Sequence, residues 1–214
     1  MPIVLSDLLT PSAAEVLSAA AAQLPFEDGA RTAGSVARAV KDNEQAANVP
    51  ETRAVTEKIQ ATLLSHPGFQ AVAYPRQFAR LIVSRTSGGG QYGDHVDNAL
   101  IAGQRADVSF TLFLSDPDTY DGGELVIGDR IEDRQFKLDR GEAIVYPSNT
   151  LHRVNPVTRG ARIVVIGWVT SWVRDPAQRE ILFDLWRAIN TTDDPAQQQL
   201  LSKSRSNLIR MWAG

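Results

Sequence analysis

Apolar positions recur at helical spacing at both ends of the chain and alternate with polar ones in its middle. Near the start, Val16, Leu17, Ala20 and Leu24 return every three or four residues, which predicts an amphipathic helix. Thr10 followed by Pro11 marks its beginning, because proline suits the first helical position, and Pro25 ends the run. Ser12 and Glu15 also fit a capping box in register with that start. A second helix is predicted over 52–65, with Val55, Ile59, Leu63 and Leu64 on one face and His66-Pro67-Gly68 as its stop. From about residue 77 to 173 the period shortens to two. Val108, Phe110, Leu112 and Leu114 alternate with Ser109, Thr111, Phe113 and Ser115. Further short strands are predicted over 124–127, 135–138, 142–146, 151–154 and 161–173. The turn signals Tyr120-Asp121-Gly122-Gly123, Asp139-Arg140-Gly141 and Thr158-Arg159-Gly160 separate them. Many short strands with closely spaced turns predict a double-sheet sandwich or barrel rather than a parallel sheet. The tail returns to helical spacing. Pro176 opens a helix carrying Ile181, Leu182, Leu185 and Ile189, and Asp193-Asp194-Pro195 opens a last one reaching Trp212. The expected fold class is α+β with a mainly β core, flanked by N-terminal and C-terminal helices. Residues 1–175 are expected to form the core unit and 176–214 a helical extension.

Composition narrows the function more than the fold. The length of 214 residues suits one domain with a small appendage, and 43% hydrophobic with 22% charged residues excludes general disorder. A net charge of -3 gives no broad basic surface, so no nucleic-acid partner is expected. No apolar run approaches the ~20 residues of a membrane span, so no membrane partner is expected either. The alanines at 19–22 resemble a signal-peptide core, but no Lys or Arg precedes Arg31 to supply a positive leader. There is no cysteine, which removes disulfides, thiolate nucleophiles and cysteine-based metal sites together. A cytoplasmic location is the expectation, although a cysteine-free chain suits a periplasm as well. Any metal must then be held by histidine, carboxylate or carbonyl, and the histidines are His66, His95 and His152.

His95-Val96-Asp97 follows the glycine-rich Ser87-Gly88-Gly89-Gly90. In an extended segment, residues two apart point to one face, so His95 and Asp97 can grip one ion together. His152 lies 57 residues further on, on another predicted strand. Two histidines and a carboxylate with open positions are the signature of non-haem Fe(II) oxygenases, since three protein ligands leave three octahedral sites free. An isolated His-x-Asp is a weak motif, because three-residue patterns recur by chance, and a strand histidine is more often simply hydrogen-bonded. His66 sits at a helix end with no carboxylate two residues away, where it suits the C-terminal dipole. Arg162 adds weight. It heads the apolar strand Ile163, Val164, Val165, Ile166 and, by period two, shares a face with Val164, Ile166 and Trp168. If that face points inward, Arg162 is a buried cation, whose natural partner is a bidentate carboxylate. A surface arginine or an internal ion pair would be the plainer explanation. Arg159 reads as a turn residue.

These residues resemble the Fe(II)- and 2-oxoglutarate-dependent dioxygenases of the prolyl/lysyl-hydroxylase type, and more narrowly the bacterial PKHD-type hydroxylases of the PiuC group. The matching pieces run through most of the chain. They are Val40-Lys41-Asp42-Asn43-Glu44-Gln45, Tyr92-Gly93-Asp94-His95-Val96-Asp97, Thr111-Leu112-Phe113-Leu114-Ser115-Asp116-Pro117 and Tyr120-Asp121-Gly122-Gly123-Glu124-Leu125. They continue with Tyr146-Pro147-Ser148, Leu151-His152, Pro156 through Arg162, and Arg174-Asp175 with Arg179 and Leu182-Phe183-Asp184-Leu185. Order and spacing make the set specific where each piece is modest. The resemblance implies a double-stranded β-helix, or jelly roll, with iron held by His95, Asp97 and His152. It also implies that Arg162 meets the distal carboxylate of 2-oxoglutarate, with Tyr92 as a further candidate contact to the cosubstrate. No acid, base or nucleophile beyond the metal ligands is implied. The implied cofactors are Fe(II), 2-oxoglutarate, O2 and L-ascorbate. The implied reaction hydroxylates a C–H bond of an amino-acid, peptide or peptide-like substrate and releases succinate and CO2. Two positions depart from the pattern: Arg85-Thr86 lacks an expected tyrosine, and Trp186 replaces an expected aspartate. A binding module without turnover and a cupin-like metalloenzyme that does not use 2-oxoglutarate are the alternatives. Self-association through the apolar C-terminal helices is left open by the sequence.

Overall fold

A computed structural model describes residues 2–29, 40–128 and 131–214. The strands in chain order are β1 (Ile3–Leu5), β2 (Phe26–Asp28), β3 (Lys41–Asp42), β4 (Glu44–Ala46), β5 (Pro75–Ser87), β6 (Gln91–His95), β7 (Leu100–Ile101) and β8 (Gln104–Arg105). They continue as β9 (Val108–Phe113), β10 (Asp121–Gly122), β11 (Leu125–Ile127), β12 (Arg134–Phe136), β13 (Ala143–Pro147), β14 (His152–Val154), β15 (Val157–Arg159) and β16 (Ala161–Ser171). Helices described are α1 (Pro11–Ala22), α2 (Pro50–Ser65), α3 (Pro67–Ala73), α4 (Pro176–Thr191) and α5 (Pro195–Trp212). A larger antiparallel sheet has the order β1-β13-β9-β16-β5-β4-β2, and a smaller one the order β12-β11-β14-β6-β3. Two short ribbons, β7 with β8 and β10 with β15, complete the jelly roll.

Period two on β9 and β16 sorts side chains between two compartments. Val108, Phe110 and Leu112 on β9 and Val165 and Val169 on β16 join Leu17, Ile59, Leu63 and Phe69 in the main core between the large sheet and helices α1 to α3. Phe113 and Val164 point the other way, into a second core with Leu125, Ile127, Phe136, Ile144 and Tyr146 between the two sheets. Because β9 is covered on both faces, all six of its residues are buried, the polar Ser109 and Thr111 included. Those two hydroxyls lie on the inter-sheet side, where the cavity is.

Several expectations need adjusting. Helix α1 does start with Thr10 as its cap, whose hydroxyl accepts from Ala13 N–H, and with Pro11 in the first turn. Its buried stripe, however, is Ala14, Leu17 and Ala21, with Leu24 beyond it, while Val16 is 56% exposed. Small alanines let the helix approach Leu9 and Gly141 closely, so packing selects a face that the larger Val16 did not mark. Leu64 likewise turns outward from α2, one position past the Val55-Ile59-Leu63 row. The expected stop at His66 is also a start. His66 Nδ1 accepts from Phe69 N–H and caps the short helix α3, while Nε2 faces Asp7. Its role is a cap rather than a response to the dipole of α2. Two expected turns are partly strand, since Asp121 and Arg159 pair across β10 and β15 and form an exposed ion pair. The N-terminal part adds short strands that carry no periodic signal of their own: β1 pairs with β13 at one edge, and β4 with β5, with β2 beyond it at the other edge.

The tail docks on the core. Asp175 caps α4 by accepting from Ala177 and Gln178 N–H. Leu182 and Phe183 are buried, and Arg179, also buried, donates to the carbonyls of Val173, Arg174 and Asp107. No helix among the described residues is long and apolar enough to cross a membrane.

Candidate active site

Strands β6 and β14 are neighbours, and their register sets His95 directly opposite His152. Asp97 lies two residues past the end of β6, in the extended segment that follows. One ligand atom from each of His95, Asp97 and His152 falls within 4.8 Å of the others, and Asp97 Oδ2 is 3.9 Å from His152 Nε2. His66, by contrast, lies on the helical side and takes no part.

Each imidazole is oriented by a backbone carbonyl. His95 Nδ1 donates to Gly93 O at 2.8 Å and His152 Nδ1 to Thr150 O at 2.9 Å. A carbonyl only accepts, so Nδ1 carries the proton in both rings and Nε2 keeps its lone pair. Burial, and next the neighbouring His152, hold His95 down to about 4 from its ordinary 6.5. The ring is therefore neutral near pH 7, the form that ligates. Tyr92 stacks on His95 with ring centroids 3.6 Å apart, and burial pushes its phenol up to about 12. The Tyr146 ring meets His152 at 5.2 Å. Burial, then the Asp97 charge, raises the Tyr146 phenol above its usual range.

Asp97 has partners that the sequence reading did not single out. Ser109 Oγ donates to Asp97 Oδ2 at 2.6 Å, and Ser148 Oγ lies 2.8 Å from Ser109 Oγ. With the Ser109 proton given to the carboxylate, Ser148 must donate to Ser109, so the relay runs Ser148 to Ser109 to Asp97. The signal was available in principle: Ser109 is a hydroxyl on a strand otherwise rich in large apolar residues.

These side chains open onto a cavity of about 260 Å³ between the sheets. At one end is Arg162, 3% exposed, with the guanidinium carbon 5.2 Å from the centre of the Phe113 ring. The inward face expected of the Arg162, Val164, Ile166 and Trp168 row is the one observed, as all four line the cavity. Among the described residues no carboxylate lies within 4.0 Å of this guanidinium, and its Nε has no hydrogen-bond partner. Burial lowers its proton affinity, but a guanidinium remains charged. Gly123 makes the space. A Cβ there would lie 2.9 Å from Arg162 Cδ, and its φ of +70° suits glycine. Thr86, the position expected to carry a tyrosine, is buried directly across the ladder from Arg162. Tyr120, buried, lies beside Arg162. The lining also includes Lys41, Asn43, Gln45 and Arg80. Trp186 lies on α4 outside this lining.

Comparison with known proteins gives concordant matches. Residues 79–170 match the model of the 2OG-Fe(II) oxygenase superfamily. The chain is 48% identical over 192 residues to a PKHD-type hydroxylase of Maricaulis maris, covering 88% of each chain. It is 45% identical over 212 residues to a PKHD-type hydroxylase of Picosynechococcus, covering 97% of each. Among solved structures, a Pseudomonas putida prolyl-4-hydroxylase superposes with a TM-score of 0.56 at 17% identity, over 79% of this chain and 92% of that one. A collagen prolyl hydroxylase of Paramecium bursaria Chlorella virus-1, solved with 2OG, gives 0.54 at 20% identity, over 79% and 96%. These structural likenesses bear on the fold, which they share.

Proposed function

Because the chain belongs to the 2OG-Fe(II) oxygenase superfamily, within its PKHD-type hydroxylases, we propose that His95, Asp97 and His152 hold its Fe(II) and that Arg162 anchors 2-oxoglutarate. The observation that carries this reading is the pairing of a convergent His-Asp-His cluster with a buried, carboxylate-free guanidinium in one cavity. The donor set fits the ion: two imidazoles with Nε2 lone pairs and one carboxylate suit ferrous iron and leave coordination positions open. The dicarboxylate fits as well, because a buried cation gains most from a charge-assisted, bidentate partner. A metalloenzyme that did not use 2-oxoglutarate would have no need of Arg162 there.

Iron at this site would supply dioxygen activation coupled to oxidative decarboxylation of 2-oxoglutarate, giving succinate, CO2 and a hydroxylated product. The protein's part is positional. Gly93 and Thr150 carbonyls fix the ring orientations, and Tyr92 and Tyr146 wall the histidines. The Ser148–Ser109 relay holds Asp97, Arg162 sets the reach of the cosubstrate, and the double-sheet wall excludes bulk water. Tyr92 stacks on His95 and would support that ring first and contact the cosubstrate second. The substrate class is an amino acid, peptide or peptide-like molecule, and ascorbate would serve to keep the iron reduced.

The test is titration of the anaerobic protein, first with Fe(II) and then with 2-oxoglutarate, followed by charge-transfer absorbance. His152→Ala should lose stoichiometric Fe(II) binding. Arg162→Leu should keep iron but bind 2-oxoglutarate about 10–100-fold more weakly, the equivalent of losing ~1.5–3 kcal/mol. Arg159→Leu, an exposed residue paired with Asp121, should match the parent. Unchanged 2-oxoglutarate affinity in Arg162→Leu would refute the anchor, and tight iron in His152→Ala would refute the triad.

A further inference from the structure

The ribbon of β7 and β8 belongs to neither of the two larger sheets, yet Leu100, Ile101 and Ala102 line the same cavity as His95, Asp97 and His152. One of its strands is fastened. The Arg105 guanidinium pairs with Asp107 and donates to Ser171 O at 3.2 Å. The Gln104 side chain meets that of Gln77, and Asp107 N–H donates to Val169 O at 3.0 Å. The turn is tight, with Ala102 and Gly103 both at positive φ, +50° and +77°. Two such residues give the hairpin turn whose twist matches its strands. The ribbon is thus held along β8 and at its base, and β7 is its outer strand.

The ladder decides which main-chain groups of β7 are open. Along an antiparallel pair, hydrogen-bonded and non-bonded residue pairs alternate. Ile101 and Gln104 close the two-residue turn as a bonded pair, and Ala106 N–H donates to Ala99 O at 3.0 Å. Leu100 and Arg105, the pair between them, therefore direct their N–H and C=O out of the ribbon on opposite edges. On the β8 edge, Arg105 O accepts from the Thr170 hydroxyl. On the β7 edge no further strand follows, and among the described residues the Leu100 N–H and C=O have no partner. A donor and an acceptor on one residue match one residue of another extended chain, which can exchange both bonds with it.

The surroundings of that edge fit a peptide. Leu100 is 65% exposed and Val96 47%, and both lie on the cavity wall, so apolar side chains flank the open main-chain groups. The cavity of about 260 Å³ is smaller than the roughly 300–1,000 Å³ of sites that enclose a whole small molecule. With cosubstrate inside, the space left suits one side chain. The chain that carries this side chain must then lie along the rim, where β7 is.

We propose that β7 is a docking edge for an extended substrate peptide, which pairs with the Leu100 N–H and C=O as an added strand and turns one side chain into the cavity. This deepens the hydroxylase reading above and rests on it for the word substrate. Of the amino-acid, peptide and peptide-like molecules named there, it selects the peptide, because a free amino acid has no amide N–H and C=O to exchange with this edge. The docking itself can be tested without iron.

The probes are acetylated and amidated pentapeptides with glycine ends, valine flanks and each of the common amino acids in turn at the centre. They are added at millimolar concentration to the metal-free full-length protein, and binding is read on its backbone amides by NMR. The Leu100 amide should move downfield and gain exchange protection with the best peptide, and free amino acids should leave it unmoved. N-methylation of that peptide, one residue at a time, should weaken binding about tenfold or more at one position and spare its two neighbours, since a single residue faces Leu100. Leu100→Pro removes the outward N–H and none of the bonds inside the ribbon, so it should weaken the best peptide about tenfold. Leu100→Ala keeps the N–H and should lose about threefold or less. Both variants should load Fe(II) and 2-oxoglutarate like the parent. Where Leu100→Pro folds poorly, the N-methyl scan on the parent protein decides. The proposal is overturned if no panel member binds, if free amino acids shift the Leu100 amide as strongly, if N-methylation acts equally at every position, or if folded Leu100→Pro binds like the parent. Protection of Leu100 that rises with protein concentration alone, with a dimer in sedimentation, would also overturn it and give the edge to a second copy. Failure of Fe(II) or 2-oxoglutarate loading would refute the hydroxylase reading and leave peptide docking at Leu100 standing.

Discussion

Asp97 Oδ2 accepts a 2.6 Å bond from Ser109, the shortest polar contact around the three-residue cluster. That bond holds the carboxylate by Oδ2, the oxygen that also lies 3.9 Å from His152 Nε2. A hydrogen bond to a charged group is worth about 1.5–3 kcal/mol, and removing an outer partner of a metal ligand costs 10–100-fold in affinity. Ser109→Ala should therefore weaken Fe(II) by about that factor while leaving the melting temperature of the metal-free protein nearly unchanged. Competition with a chelator measures the first and calorimetry the second. His95 makes a second residue-scale prediction. Its folded pKa of about 4 lies below the ordinary 6.5, so between those values the unfolded chain binds more protons than the folded one. Stability of the metal-free protein should be fully present above pH 6.5 and fall as the pH drops toward 4. His95→Gln, which cannot titrate, should flatten that slope in urea unfolding at pH 4.5, 5.5 and 7. His95, Asp97, His152 and Arg162 stand out in the sequence as unusual residue types in their segments, and the structure brings them to one cavity. Tyr146 and Ser148 entered only as part of a matching segment and Ser109 only as a strand position, since nothing local distinguishes a serine that supports a carboxylate from one that fills a strand.

Element ends were legible where a local device writes them. Thr10-Pro11, Asp175-Pro176 and Asp194-Pro195 each place an oxygen acceptor before a proline, and each opens a helix. Period two on β16 read correctly through Trp168, because a buried strand must choose one face for the core. Elements that depend on a partner left no such trace. Strand β1, at one edge, and β4, between β5 and β2, are strands of three residues whose existence follows from their partners. The buried side of α1 follows from how closely Ala14 can approach Gly141. Arg179 shows the cost of a contact of this kind. It is a buried cation in the second turn of α4 whose guanidinium satisfies three carbonyls, at 2.8, 2.8 and 3.1 Å. Burial lowers its proton affinity without removing the charge. Arg179→Met keeps the apolar stem and removes the guanidinium donor from the Val173 and Arg174 carbonyls, at about 1–3 kcal/mol for each one left unsatisfied, while Asp107 O keeps Ser148 N–H. The expected result is a clear drop in melting temperature with Fe(II) affinity retained. An unchanged melting temperature would show that water takes over the carbonyls.

At the scale of the whole molecule, α4 packs beside α3 on the helix-covered face of the large sheet, and α5 packs on α4. Phe183 and Pro176 sit against Ile3, Val72, Val108 and Val145. Burying Leu182 and Phe183 contributes roughly 1.5–3 kcal/mol each as an upper bound. A chain ending at Val173 should aggregate or lose much of its thermal stability, seen by light scattering and calorimetry. A monodisperse truncation with the parent melting temperature would contradict this. The jelly roll was foreseeable in kind from many short strands with tight turns, but its register was not. No local pattern says that residue 95 must face residue 152. That cross-strand pairing has a kinetic consequence. The two histidines are 57 residues apart in sequence and become neighbours when β14 zips onto β6. A chain emerging from the ribosome therefore offers His95 and Asp97 alone until His152 has been made and its strand has docked. Non-local closures of this type form late in folding. The main core, with Leu17, Ile59 and Phe69, lies on the far side of the large sheet and contains none of the three ligands. If these three residues hold iron as proposed, the ion would take no part in forming the main core, and its capture would wait for β14 to dock on β6.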